Sequence, residues 1–248
     1  MTPHIAPTPL ERLPREALSD PRHRLLVAEH FSRYKFCAPL VPNKLVLDAA
    51  CGTGFGAHML ALAGARHVDA IDISPEAVGI AQRHYTHPQI SFNVCDIISF
   101  QASFGYDVVV SFETIEHISE SEKYLRVVQN ALKPGGVFLV STPNRAVSNP
   151  KATRFEAPKN PFHVTEWTLA EFGELLRGYF DVKEVYGQRS YYYKGTKIRT
   201  FESIVSSKRL RDLLHLPEAD YEKPSQVRPL KPWYEPVFLV AWCQKRAR

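Results

Sequence analysis

Between residues 45 and 140, short apolar runs alternate with helical stretches, and this alternation constrains the chain more than any other feature. Leu45-Val46-Leu47, Val68 to Ile71, Ile90 to Val94, Tyr106 to Ser111 and Val137 to Val140 read as five strands. A helix is expected over about 55–64. Another starts at Ser74-Pro75-Glu76, with Ser as the cap and Pro at the first helical position. A third covers about 121–132 and is broken by Lys133-Pro134-Gly135-Gly136. Upstream, Leu25, Leu26, Ala28, Phe31 and Tyr34 give a helix from about Arg22 to Ala38, ended by Pro39 and Pro42. Downstream come a helix from Thr168 to Leu176 and two late strands, Val182 to Tyr186 and Val237 to Trp242. The pattern implies an α/β fold, a parallel sheet covered by helices on both faces.

Composition narrows the class. Hydrophobic residues are 44% and charged residues 23% of the 248, as in a globular domain rather than a disordered chain or coiled coil. No apolar run approaches the roughly 18 residues that span a bilayer, and the Pro-rich start carries no signal-peptide core. Cys37, Cys51, Cys95 and Cys243 form no CxxC pair, which disfavours a zinc ribbon or a disulfide scaffold and suits a reducing cytoplasm. The net charge is +5, unevenly placed: residues 187–248 hold 13 Lys/Arg against 6 Asp/Glu. That basic quarter is either a solvated face or a surface for an anionic partner. Residues 1–21 read as a flexible Pro-rich arm, and 22–248 as one domain. Within it, 188–235 is too long for a plain loop and reads as a substrate-binding or lid insertion.

The sharpest motif is Val46-Leu47-Asp48-Ala49-Ala50-Cys51-Gly52-Thr53-Gly54-Phe55-Gly56, a glycine loop between a strand and a helix. Such glycines permit a tight turn and let a ligand touch backbone. Asp72 ends the next strand, 20 residues beyond Gly52, where an acid accepts hydrogen bonds from ribose hydroxyls. Asp48, just before the loop, repels a pyrophosphate but suits an ammonium or sulfonium charge. Asp96 follows the third strand, placed to take an adenine amino proton beside the backbone N–H of Ile97.

These segments together resemble the class I S-adenosylmethionine-dependent methyltransferases over about 25–187: VLDAACGTGFG, AIDIS, NVCDI, YDVVVSFETIEHI and LKPGGVFLVSTPN. The resemblance implies a Rossmann-like, seven-stranded, mostly parallel sheet with its last strand antiparallel, Val237 to Trp242. It also implies S-adenosylmethionine contacts from Asp48, Ala50, Gly52, Gly54, Asp72, Ile73, Asp96, Ile97 and Phe112. Ala50 departs from the family, which usually has its first glycine there. Arg33 and Tyr34, on the helix before the first strand, are candidates to cover the methionine carboxylate, or else ordinary packing residues.

Methyl transfer to a hydroxyl needs alignment and removal of a proton. The candidate machinery is Glu113-Thr114-Ile115-Glu116-His117, after the fourth strand. If that segment opens a helix, Glu113, Glu116 and His117 share one face. His163, in Asn160-Pro161-Phe162-His163, adds a second imidazole. Glu113, Glu116, His117 and His163 make a candidate divalent-metal site (Mg or Mn) able to hold a vicinal diol. The alternative is metal-free, with His117 as general base and Glu116 shaping the pocket. The arrangement resembles two metal-using branches, the small-RNA 2′-O-methyltransferases and the ubiquinone-biosynthesis O-methyltransferases. The wider string of Arg33-Tyr34, Ser141-Thr142-Pro143-Asn144, Asn160 to His163 with Glu166, and Gly187-Gln188 resembles a bacterial subgroup associated with glycan and natural-product assembly. The expected activity is O-methylation of a small-molecule or sugar hydroxyl. An RNA 2′-O-methyltransferase, supported by the basic quarter, and a non-catalytic cofactor-binding scaffold are the competing readings. Tyr191, Tyr192 and Tyr193 either wall an acceptor pocket or edge a strand.

Overall fold

A computed structural model describes residues 23–193 and 225–247. The expected arm at 1–21 and the centre of the expected insertion, 194–224, lie outside the described residues. Eight strands form one sheet: β1 (Leu45–Ala49), β2 (His67–Asp72), β3 (Ile90–Val94), β4 (Tyr106–Phe112), β5 (Leu132–Pro143), β6 (Asp181–Tyr193), β7 (Val227–Pro229) and β8 (Tyr234–Gln244). Their spatial order is β3-β2-β1-β4-β5-β8-β6-β7. β1 to β5 pair in parallel, while β8 lies antiparallel between β5 and β6. The doubly wound fold and the antiparallel last strand agree with the expectation.

Three details differ from it. The sheet has eight strands rather than seven, because Val227, Arg228 and Pro229 pair with Gln188, Gly187 and Tyr186 at the far edge. That short strand contains Pro229 and carries no alternating pattern, so its sequence does not advertise it. β6 runs seven residues past the expected end at Tyr186, through register shifts beside β8. The Lys133-Pro134-Gly135-Gly136 breaker is absorbed into the start of β5, with Gly135 at φ +74°.

Six helices complete the described fold: α1 (Arg24–Cys37), α2 (Phe55–Leu62), α3 (Pro75–His84), α4 (Ser121–Ala131), α5 (Arg145–Ser148) and α6 (Leu169–Arg177). Alternate strand residues point to opposite faces. Leu47, Val109 and Val140 pack with Tyr124, Leu125 and Val128 of α4 and with Phe172 and Leu176 of α6. Val46, Val108, Val110 and Leu139 pack on the other face with Tyr34 and Cys37 of α1 and Phe55, Ala57 and Leu60 of α2. Burying one such Leu or Phe contributes about 1.5–3 kcal/mol. Asp48 is two residues after Val46, so its carboxylate enters the layer beneath α1. α3 is capped by Ser74, whose Oγ accepts from the Ala77 N–H at 3.2 Å. α6 carries a capping box between Thr168 and Glu171.

The sheet order reverses between β1 and β4. The carboxyl ends of these strands therefore splay apart around a crevice, the ordinary ligand position of such sheets.

Candidate active site

The glycine loop closes against the end of β2. The N–H groups of Ala50 and Cys51 both donate to the Ile71 carbonyl, at 2.9 and 2.8 Å. Asp72 locks the loop further, accepting from the Gly52 N–H and the Ser74 N–H, each at 2.9 Å. Ala50 sits at φ +73° and Gly54 at φ +90°. A Cβ on Gly54 would lie 2.5 Å from Ala81 Cβ, so only glycine fits there. Asp72 is thus foremost a clasp on the loop, buried with backbone donors on both oxygens. Ile73, the next residue, is 50% exposed and offers an apolar surface to a flat base. Asp96 caps the turn after β3, accepting from the Ile98 N–H at 3.0 Å, with Ile97 buried beside it.

Asp48 is buried at the tip of β1, and both its oxygens face the Tyr34 hydroxyl, at 3.1 and 3.2 Å. Burial pushes the Asp48 carboxyl up to about 7; the Tyr34 hydrogen bond opposes that shift and the Asp72 charge adds to it. Tyr34 reaches Asp48 only because Gly56 has no side chain, since a Cβ there would lie 2.0 Å from the ring. Phe112, from the end of β4, packs edge-on against the same ring at 5.2 Å. Arg33 is fully buried, its guanidinium 4.7 Å over the Phe238 ring. Its Nε donates to Gln188 at 3.0 Å, and its Nη2 stands 3.7 Å from Glu113 Oε1. Both terminal nitrogens are buried with no hydrogen-bond partner among the described residues. A buried guanidinium in that condition is costly unless an anion completes it. This orphaned pair fits the carboxylate of an amino-acid-bearing cofactor.

The expected quartet does not assemble. Glu113 sits at φ +51° and its N–H bonds back to Ser141, while its carboxylate accepts from Ser141 Oγ at 2.6 Å. Only a single 3-10 turn, Ile115–His117, follows, so the helical face never forms and Glu113 turns toward Arg33 instead. Glu116, His117 and His163 do meet, with potential ligand atoms within 4.8 Å of one another. Glu116 is buried and accepts from Thr142 at 3.2 Å; burial, then the nearby Glu113 carboxylate, raise its pKa well above the ordinary carboxyl value. His163 is already engaged at both ring nitrogens. Nδ1 faces Glu166 Oε1 at 2.6 Å and Nε2 faces the Asn160 amide nitrogen at 2.9 Å. Because Asn160 Oδ1 accepts from the Phe162 N–H, its NH2 is the group that donates to His163. The lone pair a metal would need is therefore taken, and as arranged these residues do not fit a divalent cation.

His117 is placed differently. Its Nδ1 lies 2.9 Å from the Phe162 carbonyl, which can only accept. Nδ1 is therefore the donor nitrogen of the ring, and Nε2 is the nitrogen that can accept. Sequence reasoning missed the Glu166 clasp on His163, the Asn160 amide on its far side, and the Gln188 contact to Arg33. The first two are contacts between residues three apart in one loop, set by its local turns, and only the third joins segments that the folded sheet brings together.

The pattern described as "Methyltransferase domain" matches residues 40–194. A protein of Mycolicibacterium smegmatis named "Probable S-adenosylmethionine-dependent methyltransferase" is 38% identical over 156 residues, 62% of this chain and 58% of that protein. A ubiquinone biosynthesis O-methyltransferase of Aeromonas salmonicida is 34% identical over 114 residues, 44% of this chain and 46% of that one. The chain thus matches roughly half the length of these curated relatives. Among solved structures, an S-adenosylmethionine-dependent methyltransferase from Mesorhizobium loti superposes with TM-score 0.62 at 18% identity, over 89% of this chain and 99% of that one, which speaks to the fold. With a family pattern over more than half its length and that fold around the glycine elbow, the chain belongs to the methyltransferase domain family.

Proposed function

We propose that the protein methylates a hydroxyl on a small molecule or sugar, with His117 as general base. The observation that carries this reading is the His117 Nδ1 to Phe162 carbonyl bond, which makes Nδ1 the donor of the ring and Nε2 its acceptor nitrogen, in the turn that follows β4. S-adenosylmethionine, when bound, supplies a methyl group on a cationic sulfur. The chain's own residues do the rest. Asp72 meets the ribose hydroxyls, Asp96 and Ile97 meet the adenine edge, and Gly52 and Gly54 let the loop approach closely. Asp48 with Tyr34 supplies negative charge near the cationic end, and Arg33 meets the carboxylate. His117 takes the acceptor proton, and Glu116 with Thr142 backs the pocket behind it. The ubiquinone-biosynthesis O-methyltransferase relative supports oxygen as the acceptor atom. Four free cysteines accord with a reducing cytoplasm.

His117→Gln tests the reading. Turnover is expected to fall about 10²–10⁴-fold, the usual worth of a general base, while S-adenosylhomocysteine still binds with wild-type affinity. Retained turnover in this variant removes His117 from the mechanism. A second reading, a divalent cation on Glu116, His117 and His163, rests on the convergence of those three residues alone and would require Asn160 to release His163. RNA is the less favoured acceptor; steep loss of binding with salt would mark it.

A further inference from the structure

Gln188 of β6 stands where three distant parts of the chain meet. It is fully buried. Its Oε1 accepts from Arg33 Nε at 3.0 Å, and its Nε2 donates to the Glu29 carbonyl at 2.8 Å and to the Ser225 carbonyl. It is paired across the sheet with Phe238 of β8, the same ring over which the Arg33 guanidinium lies at 4.7 Å. Arg33 is thus held along its Nε edge by one residue and on one face by that residue's strand partner.

We propose that Gln188 is a positioning residue for the cofactor, selecting the edge of Arg33 that meets the methionine carboxylate. The inference rests on the reading of Arg33 given above. A guanidinium can grip a carboxylate along its Nε–Nη2 edge or along its Nη1–Nη2 end. Gln188 occupies Nε, which leaves the terminal pair, the two buried nitrogens that have no hydrogen-bond partner among the described residues. An amide at this position satisfies Nε without neutralising Arg33, so the positive charge stays available to an incoming anion. Glu113, whose Oε1 is 3.7 Å from Nη2, is the competitor. Without the Gln188 clasp, Nε is a buried unpaired donor and Arg33 is free to turn and close on Glu113. The carboxylate site is then lost although every residue that touches the ligand remains.

Calorimetric titration of Gln188→Leu separates positioning from mere packing. Two probes are used: S-adenosylhomocysteine, and 5′-methylthioadenosine, which has the same nucleoside without the amino-acid end. S-adenosylhomocysteine is expected to bind about tenfold more weakly than to wild type, the scale of one charge-assisted hydrogen bond, while methylthioadenosine binds within twofold. Arg33→Met is expected to show the same selective loss, and the double variant to lose no more than Arg33→Met alone. Equal weakening of both probes by Gln188→Leu, or weakening of neither, overturns the proposal. If Arg33→Met leaves S-adenosylhomocysteine affinity unchanged, it is the reading of Arg33 that fails. Should Gln188→Leu not yield folded protein, Gln188→Met gives the same ratio of affinities.

Discussion

Ala50 bends the chain where β1 becomes the cofactor loop, at φ +73°. A side chain in this left-handed region costs about 1–2 kcal/mol. Replacement by glycine relieves that strain but gives the unfolded chain about 0.4–1 kcal/mol more freedom. Ala50→Gly is therefore expected to stabilise the protein by up to about 1 kcal/mol, read as a higher urea midpoint with unchanged slope. Destabilisation of that size would mean the Ala50 methyl packs better than its backbone angle suggests. The same scale shows why some site residues are legible in sequence. Asp48 lies near the end of β1, Asp72 ends β2 and Asp96 follows β3, so their placement follows from the strands alone. Arg33 was a candidate by position, but its partner Gln188 lies 155 residues away, and no local pattern encodes that contact.

Elements with a strong local signal agree with the sequence, and the one that carries the proposed catalytic groups does not. The strands before the glycine loop and before Glu113 are apolar and bounded, and α3 has both Ser cap and Pro. Glu113 to His117 was expected to present one helical face. The Glu113 N–H is captured by Ser141 of the neighbouring strand, which prolongs the sheet by a residue and leaves room for only one 3-10 turn. Long-range pairing here overrides local propensity. The consequence is chemical: Glu113 serves the Arg33 side, and three rather than four donors converge. With His163 held between Glu166 and Asn160, treatment with a chelator followed by gel filtration is expected to leave turnover unchanged. Loss of turnover restored by Mg or Mn would establish the cation reading instead.

At the scale of the whole molecule, strand order decides where the chemistry sits. β1 and β4 are neighbours whose connections leave in opposite directions, so the Asp48 loop and the Glu113–His117 turn border one crevice. The late strands then wrap the other half of the sheet. β8 inserts between β5 and β6, and the β8–β6 pair puts Phe238 of β8 and Gln188 of β6 against α1. The central strands β1 and β4 are readable because burial on both faces leaves each a nearly continuous apolar run. The edge strand β7 is not, because three residues with a proline carry no pattern of their own. All of it serves one claim, that the acids near the carboxyl ends of β1, β2 and β3 surround a sulfur-bearing nucleoside rather than a dinucleotide. The most direct measurement is a pair of calorimetric titrations of the wild-type protein, one with S-adenosylhomocysteine and one with NAD. Saturable heat with the first and none with the second is the predicted result; saturable heat with NAD alone, or with neither, would contradict the account.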